Sequence, residues 1–430
     1  MFKRTLHLRS VSLGLGLCLA LVLAGAASAS AATLYVSNSS TVVVGGKSCA
    51  QPDFATIQAA IDAGGAEAKV AVCPGTYSEQ LEITQPLKLS AANGAGSATV
   101  AMPAAAGNSD TACDTAEGGQ QKDTISICTG GTVSISGLNV EAIVPVETCG
   151  GGLYGIFVGG GGTLAATNVL VNGASTSLNS FKGCQHGVAI EAGSALRGEV
   201  GHAILKKVTV FGYEKNGPTA VGSGSTLSMS ASTVTGEGPS PYIAQNGVEV
   251  AYGASGTIKS TAIDANECSL AEVCSATSLE EQATGVLFYG AASGSSVSSS
   301  SLKENDLGGY YDSTSATQPA APEVTFKKDV LTGNRYEGFV LEQGKALLSR
   351  DIVNGSGDVG IDLVQNDSQT LASQSSATGT TVEGQSEAGI KVESDNKPGD
   401  IKGSFVFAHG TLAGNGTPVK NESTSFEVVL

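Results

Sequence analysis

Residues 246–266 read N-G-V-E-V-A-Y-G-A-S-G-T-I-K-S-T-A-I-D-A-N. Three short β-segments lie here, 248–250, 257–259 and 262–263, parted by Gly, Ser and Asn. None has helical periodicity, and none is long enough to build a core alone. The opening Asn-Gly-apolar step recurs loosely at Tyr154-Gly155-Ile156, His186-Gly187-Val188, Asn216-Gly217-Pro218, Thr284-Gly285-Val286, Glu337-Gly338-Phe339, Val359-Gly360-Ile361 and Ala388-Gly389-Ile390. Most intervals run from 22 to 38 residues, and one of 53 is expected to split at Gly309-Tyr310. Short strands at such a period mark a solenoid.

A unit of this size buries its apolar side chains only by stacking on its neighbours. Its strands then pair in parallel with the coils above and below, about 4.8 Å away. The predicted fold is all-β: a single-stranded right-handed parallel β-helix over residues 32–430. A solenoid grows along one axis, so 430 residues need not divide into globular domains. Fifty-eight glycines, no tryptophan and 5% aromatics suit tight turns around a narrow Val/Ile/Leu/Ala interior. A 41% hydrophobic fraction argues against disorder.

The start of the chain predicts an export signal, residues 1–29. Lys3, Arg4 and Arg9 form its basic region, 11–24 the apolar run, and Ala27-Ser28-Ala29 or Ala29-Ser30-Ala31 the cleavage site. No second apolar run follows, so no transmembrane segment is expected in the mature chain, which is read as secreted or extracellular, free or associated with the cell surface. Cleavage moves the net charge from −16 to −19, with 20 Lys and Arg left against 39 Asp and Glu. Such a chain does not hold nucleic acid by bulk electrostatics.

Cys18 leaves with the signal. The remaining Cys49, Cys73, Cys113, Cys128, Cys149, Cys184, Cys268 and Cys274 are even in number in an exported chain, which favours disulfides. No CxxC pair is present to suggest structural zinc. Local clips are expected: 49 with 73, 268 with 274, then 113 with 128 and 149 with 184, although pairing does not follow from sequence.

One amphipathic helix is expected at about 53–63. Asp53 is its candidate N-cap, Phe54, Ile57 and Ile61 form its apolar stripe, and Gly64 ends it. Its predicted role is to cover the open apolar end of the first coil. The stretch F-x-T-I-Q-A-A-I-D-A…V-x-V-C-P-G-T-Y-x-E-Q-L-x-I-x-x-P-L-x-L resembles the first coils of secreted pectin-lyase-like β-helix proteins. With the repeats, the resemblance covers nearly all of the mature chain. Enzymes and non-enzymes share this opening. The resemblance implies that the outer face of one strand column, with its flanking loops, is where related enzymes bind sugar chains.

Alternation of faces predicts that column as Phe157, Ala189, Thr219, Glu249, Leu287, Val340, Asp362 and Lys391. A second column two residues on holds Glu191, Val221, Ala251, Tyr289, Glu342, Val364 and Glu393. Excursions from the stack are expected at 102–123, 267–282, 312–322 and 367–378. Glu342 and Asp362 fall on neighbouring coils, a spacing that suits either a glycosidase carboxylate pair or calcium. Solvated surface acids are the plainer reading of both. Tyr289 with Tyr310 or Tyr311 offers a surface for sugar rings.

Catalytic motifs are missing. The mature chain has only Arg197, Arg335 and Arg350, and the polygalacturonase-like N-T-D, D-D, G-H-G and R-I-K do not occur. Nor does the epimerase D-P-H-D; Gly201-His202-Ala203 and Ala408-His409-Gly410 are only fragments of such motifs. His186 reads as part of a turn ladder with Asn216 and Asn246. The sequence therefore favours a non-catalytic protein that binds polysaccharide or another extracellular surface through Glu249, Tyr289, Glu342 and Asp362. A polysaccharide lyase or glycoside hydrolase is the alternative, with Glu342 and Asp362 as candidate catalytic groups, and a structural spacer or adhesion protein is a third. No cofactor is required, and calcium is an admissible ligand.

Overall fold

The computed structural model describes residues 32–107, 113, 121–144, 152–175, 187–269, 282–313, 323–342, 344–365, 375–394, 396 and 403–430. Among them the strands form three parallel sheets. Sheet 1 has fourteen strands, from Thr33–Val36 to Phe426–Val429. Sheets 2 and 3 have twelve each, from Gly75–Ser78 to Thr411–Ala413 and from Leu81–Ile83 to Thr417–Asn421. Each coil visits sheets 1, 2 and 3 in turn. Ser255–Lys259, Ala262–Cys268 and Thr284–Tyr289 make one coil, and Ser296–Ser298, Ser301–Lys303 and Leu307–Asp312 lie on it in register. The fold is a right-handed parallel β-helix.

Alternate side chains point inward, and Val250, Ile258, Ile263, Val286, Val297 and Leu302 stack in one continuous core. The recurring glycine has a steric cause. A Cβ on Gly217 would stand 2.1 Å from Gly247 O, and one on Gly247 would stand 2.6 Å from Gly285 O. Coils approach too closely there for any side chain. By the same contact Gly285 lies under Gly308, so the long interval splits one residue earlier than expected. Gly155 lies under Ala189 rather than Gly187, since Tyr154 pairs with Val188. The outer column therefore runs Phe157, Glu191, Thr219, Glu249, Leu287, Tyr310, Val340, Asp362, Lys391.

That column does not face water as expected. Phe157 and Val340 are fully buried and Thr219 is 1% exposed. Phe157 packs with Cys113, Tyr154 and Val188, and Val340 with Leu307, Tyr310 and Val364, so apolar clusters form outside the central core.

Turns from sheet 1 to sheet 2 are tight. One residue per coil, such as Ala231, Ser260, Ser299, Lys328 and Arg350, takes φ between 50° and 60°. His409 holds the same position, and the His202 ring bonds Thr226 Oγ1 at 2.9 Å. Asn246 Nδ2 donates to Asn216 Oδ1 at 3.0 Å, while His186 lies outside the described residues. The longer asparagine ladder is elsewhere. Asn266 N and Nδ2 donate to Asn305 Oδ1 at 3.1 and 2.8 Å, and Asn305 N donates to Asn334 Oδ1 at 3.1 Å.

The helix spans Ile57–Gly64, shorter than expected, and Thr56 rather than Asp53 caps it. Asp53 is diverted, since its Oδ2 accepts from Tyr35 N at 2.9 Å. Glu79 closes the first turn, with Oε1 and Oε2 accepting from Ile57 N and Gln58 N at 2.9 and 3.0 Å. Ile57, Ala60 and Ile61 are buried in the core beside Val36 and Val70, as an end cap requires. Phe54 is half-buried.

Cys49 is joined to Cys73 and Cys113 to Cys128, with Cα separations of 5.5 and 5.8 Å. Cys268 is also disulfide-bonded, to a partner outside the described residues. Cys149, Cys184 and Cys274 lie outside them too, as does the expected signal at 1–29. All four excursions are narrower than expected. Lys122 and Asp123 already belong to the strand Lys122–Cys128. Glu267 and Cys268 belong to Ala262–Cys268, and Asp312 ends Leu307–Asp312. Likewise 376–378 is the strand Ser376–Thr378.

Candidate functional site

Five successive strands of sheet 3, from Asn216–Val221 to Glu337–Glu342, carry residues in register on their outer face. A cleft of about 460 Å³ opens over the last four, lined by Lys215, Asn246, Glu249, Tyr252, Gln282, Thr284, Leu287, Tyr289, Tyr310, Asp312 and Glu342.

One end is built around Glu249. Asn216 Nδ2 donates to its Oε2 at 2.5 Å. Burial raises the Glu249 carboxyl above its ordinary range, while the Lys215 charge and the amides of Asn216 and Asn246 oppose that shift. Burial lowers Lys215, against the pull of Glu249, and its Nζ donates to Ala244 O at 2.8 Å. Beside them the Tyr252 and Tyr289 rings meet edge to face with centroids 5.4 Å apart. Tyr252 is 49% exposed and also lines an adjoining cleft of about 380 Å³.

The other end holds two carboxylates. Asp312 and Glu342 are register partners on adjacent strands. Tyr310 Oη donates to Glu342 Oε2 at 2.6 Å, and Asp312 is 6% exposed. Tyr311 takes the alternate face and is wholly buried in the core, so Tyr310 alone of the two lines the cleft.

The structure thus brings Glu249, Tyr289 and Glu342 into one cleft and leaves Asp362 out. Asp362 does stand on the next strand, but its register partner is Val340, and that of Glu342 is Val364. Val340 and Val364 pack together with Tyr310 and Leu307. Asp362 belongs instead with Glu337 and Lys391, towards the C-terminal end. Sequence reasoning missed Asp312, Lys215 and Tyr252. Asp312 was readable, because G-G-Y-Y-D aligns with T-G-V-L-F-Y and E-G-F-V-L-E once Gly308 is taken as the repeat glycine. Among the described residues no three His, Cys, Asp or Glu side chains converge as metal ligands, and no helix is long and apolar enough to cross a membrane.

No protein-family model and no curated protein matches the sequence. Solved structures do resemble the fold. XylC in complex with xylose aligns with a TM-score of 0.52 at 10% identity, over 90% of this chain and 86% of that one. The periplasmic alginate epimerase AlgG aligns at 0.47 and 12% identity, over 84% and 76%. The A-module of the Azotobacter vinelandii mannuronan C-5 epimerase AlgE4 aligns at 0.44 and 12% identity, over 86% and 94%. At such identities the likeness is one of fold. In fold, the chain is a right-handed parallel β-helix repeat protein.

Proposed function

We propose that the cleft takes a segment of saccharide chain and that the protein is an exported carbohydrate-active enzyme, a glycoside hydrolase using Asp312 and Glu342. The sequence alone favoured binding without catalysis. The observation that shifts the reading is the registered pair, in which Asp312 and Glu342 face the same cleft from adjacent strands. Strand spacing sets their backbones about 4.8 Å apart. Retaining glycosidases hold their two carboxyl groups about 5–5.5 Å apart.

Roles follow from the hydrogen bond. Tyr310 Oη donates to Glu342 and so holds that carboxyl in a fixed orientation, which suits the nucleophile. Glu342 would attack the anomeric carbon as the bond to the leaving oxygen breaks. Asp312 would deliver the proton that oxygen needs, then take one from the water that hydrolyses the glycosyl ester. Tyr252 and Tyr289 would stack on sugar rings, with Asn246 and Gln282 within the same wall to bond hydroxyls. A xylose-bound protein of like fold sits with this reading, which rests on the cleft's own residues.

The test is a screen of soluble polysaccharides for binding and for new reducing ends, on wild type, Asp312→Asn and Glu342→Gln. Catalysis requires release in wild type and a loss of 100-fold or more in each variant, with binding retained. Binding without release in wild type returns the protein to the non-catalytic reading. No binding to any saccharide removes both.

A further inference from the structure

Two charged groups lining the cleft take no part in the proposed hydrolysis. Glu249 stands in the outer column, and Lys215 lies immediately before the strand Asn216–Val221. Hydrogen bonds fix their neighbourhood. Asn216, next to Lys215 in the chain, donates through Nδ2 to Glu249 Oε2 at 2.5 Å, and its Oδ1 accepts from Asn246 Nδ2 at 3.0 Å. Lys215 Nζ is turned to Ala244 O at 2.8 Å. Each of the two charges helps to keep the other ionised against burial.

A site for acidic sugars needs a cation free to meet the sugar carboxylate, and an arginine fork serves best. Among the described residues that line this cleft, Lys215 is the one cation, set against Glu249, Asp312 and Glu342. The arginines are engaged elsewhere. Arg197 lies over the Phe157 ring, Arg335 pairs with Asp306 at 2.8 Å, and Arg350 occupies a tight turn between sheets 1 and 2. With Lys215 and Glu249 cancelling, the wall beyond the carboxylate pair sums to zero charge. What it presents is the amides of Asn246 and Gln282, the Thr284 hydroxyl and the tyrosine rings.

We infer that the cleft takes an uncharged glycan and rejects carboxylate-bearing ones, and that Glu249 sets this preference by cancelling the charge of Lys215. The inference rests on the saccharide reading of the cleft. A uronate lodged here would bring its charge beside Asp312 and Glu342 with no free cation to receive it, and like charges in a half-enclosed site act against binding. A neutral ring meets no such opposition, and its hydroxyls suit the amides of the wall. Glu249 is thus a specificity-determining residue rather than a catalytic one.

Xylan, mixed-linkage glucan, galactan, chitosan, polygalacturonate and alginate are titrated calorimetrically into the full-length protein, with EDTA present to prevent bridging by divalent cations. At least one neutral chain should bind wild type about tenfold tighter than either polyuronate and than chitosan. Glu249→Gln keeps an acceptor for Asn216 and uncovers Lys215, so polyuronate binding should tighten about tenfold. Lys215→Met/Glu249→Gln should lose that gain. Glu427→Gln, the same charge change on the exposed end strand, should show none. Polyuronate bound by wild type as tightly as the neutral chains overturns the inference, while the hydrolase reading still stands or falls on reducing ends. Tightest binding of chitosan overturns the uncharged assignment. A natively stable Glu249→Gln without the gain overturns the role of Glu249, and the wild-type comparison decides the glycan class even if a variant does not fold. Binding to none of the chains removes the saccharide reading itself, and this inference with it.

Discussion

The backbone N–H of Asp329 donates to Asp351 Oδ1 at 2.9 Å, stacking one buried carboxylate directly on another. Asp329 Oδ1 in turn accepts from Ser300 N at 2.8 Å. Other coils place Ser232, Thr261, Ser300 or Thr380 at this position, after the tight turn. Two coils therefore carry an ionisable group where their neighbours carry a hydroxyl.

Burial pushes Asp329 up to about 7 and Asp351 up to about 6, from 3.8. A carboxyl raised on folding binds a proton that the unfolded chain has released. Stability from these two groups is therefore full below about pH 4, is lost as pH rises, and is gone above about 7. Asp329→Ser should flatten that slope and raise the thermal midpoint at pH 8 by about 2–4 °C, with little gain at pH 4.5. A variant whose midpoint tracked wild type across pH 4.5–8 would show that the carboxylates are relieved in another way.

Asn305 is the middle rung of the asparagine ladder. Asn305→Ala leaves Asn266 N without its acceptor inside the core, while Asn266 Nδ2 keeps only Asp264 O at 3.1 Å. The expected cost is about 2–4 kcal/mol. Denaturant unfolding of Asn305→Ala against the exposed control Thr257→Ala measures it, and equal midpoints would remove the ladder from the stability of the stack.

At the N-terminal end, Ile57→Asp places a charge against the core and should cost about 3–5 kcal/mol, with poor soluble yield. Glu79→Ala removes only the acceptors at the first helical turn and should cost about 1–2 kcal/mol. Thr219→Asp also belongs among the damaging changes, because Thr219 is buried; the benign control is Thr257→Asp. Ranking the four by thermal midpoint checks the cap, and an Ile57→Asp protein as stable as Thr257→Asp would mean that the helix covers nothing.

In the cleft, Tyr252→Ala should weaken saccharide binding roughly 5- to 30-fold, the worth of one stacking ring. Tyr310→Phe should leave affinity nearly unchanged while lowering kcat roughly 10-fold, since Glu342 loses the bond that orients it. Isothermal titration with the best substrate of the screen, alongside kcat measurements, separates the two roles. Equal affinity for wild type and Tyr252→Ala would take the exposed ring out of the binding surface.

The repeat was readable because its cause is local. Gly217 and Gly247 are forced by a carbonyl oxygen on the next coil, so the sequence carries that contact at every turn. Register was less readable where the repeat wavers. Placing Gly187 over Gly155 put Ala189 in the outer column where Glu191 stands, and reading Asp312 as loop removed it from the cleft. Burial of the outer face was not readable at all, because strand alternation tells inside from outside and says nothing of what packs on the outside. For that reason Glu342 and Asp362, near in sequence pattern, belong to different surroundings.

In three parallel sheets stacked coil on coil, every interstrand hydrogen bond points along the stacking direction. A tensile load applied along that direction therefore falls on one ring of bonds at a time, at the weakest join, and opens the molecule as a zipper rather than as a sheared block. Force–extension traces pulled from the two ends should show a series of low, regularly spaced ruptures, each releasing one coil. The disulfide between Cys49 and Cys73 would hold back the slack of the first segment until last.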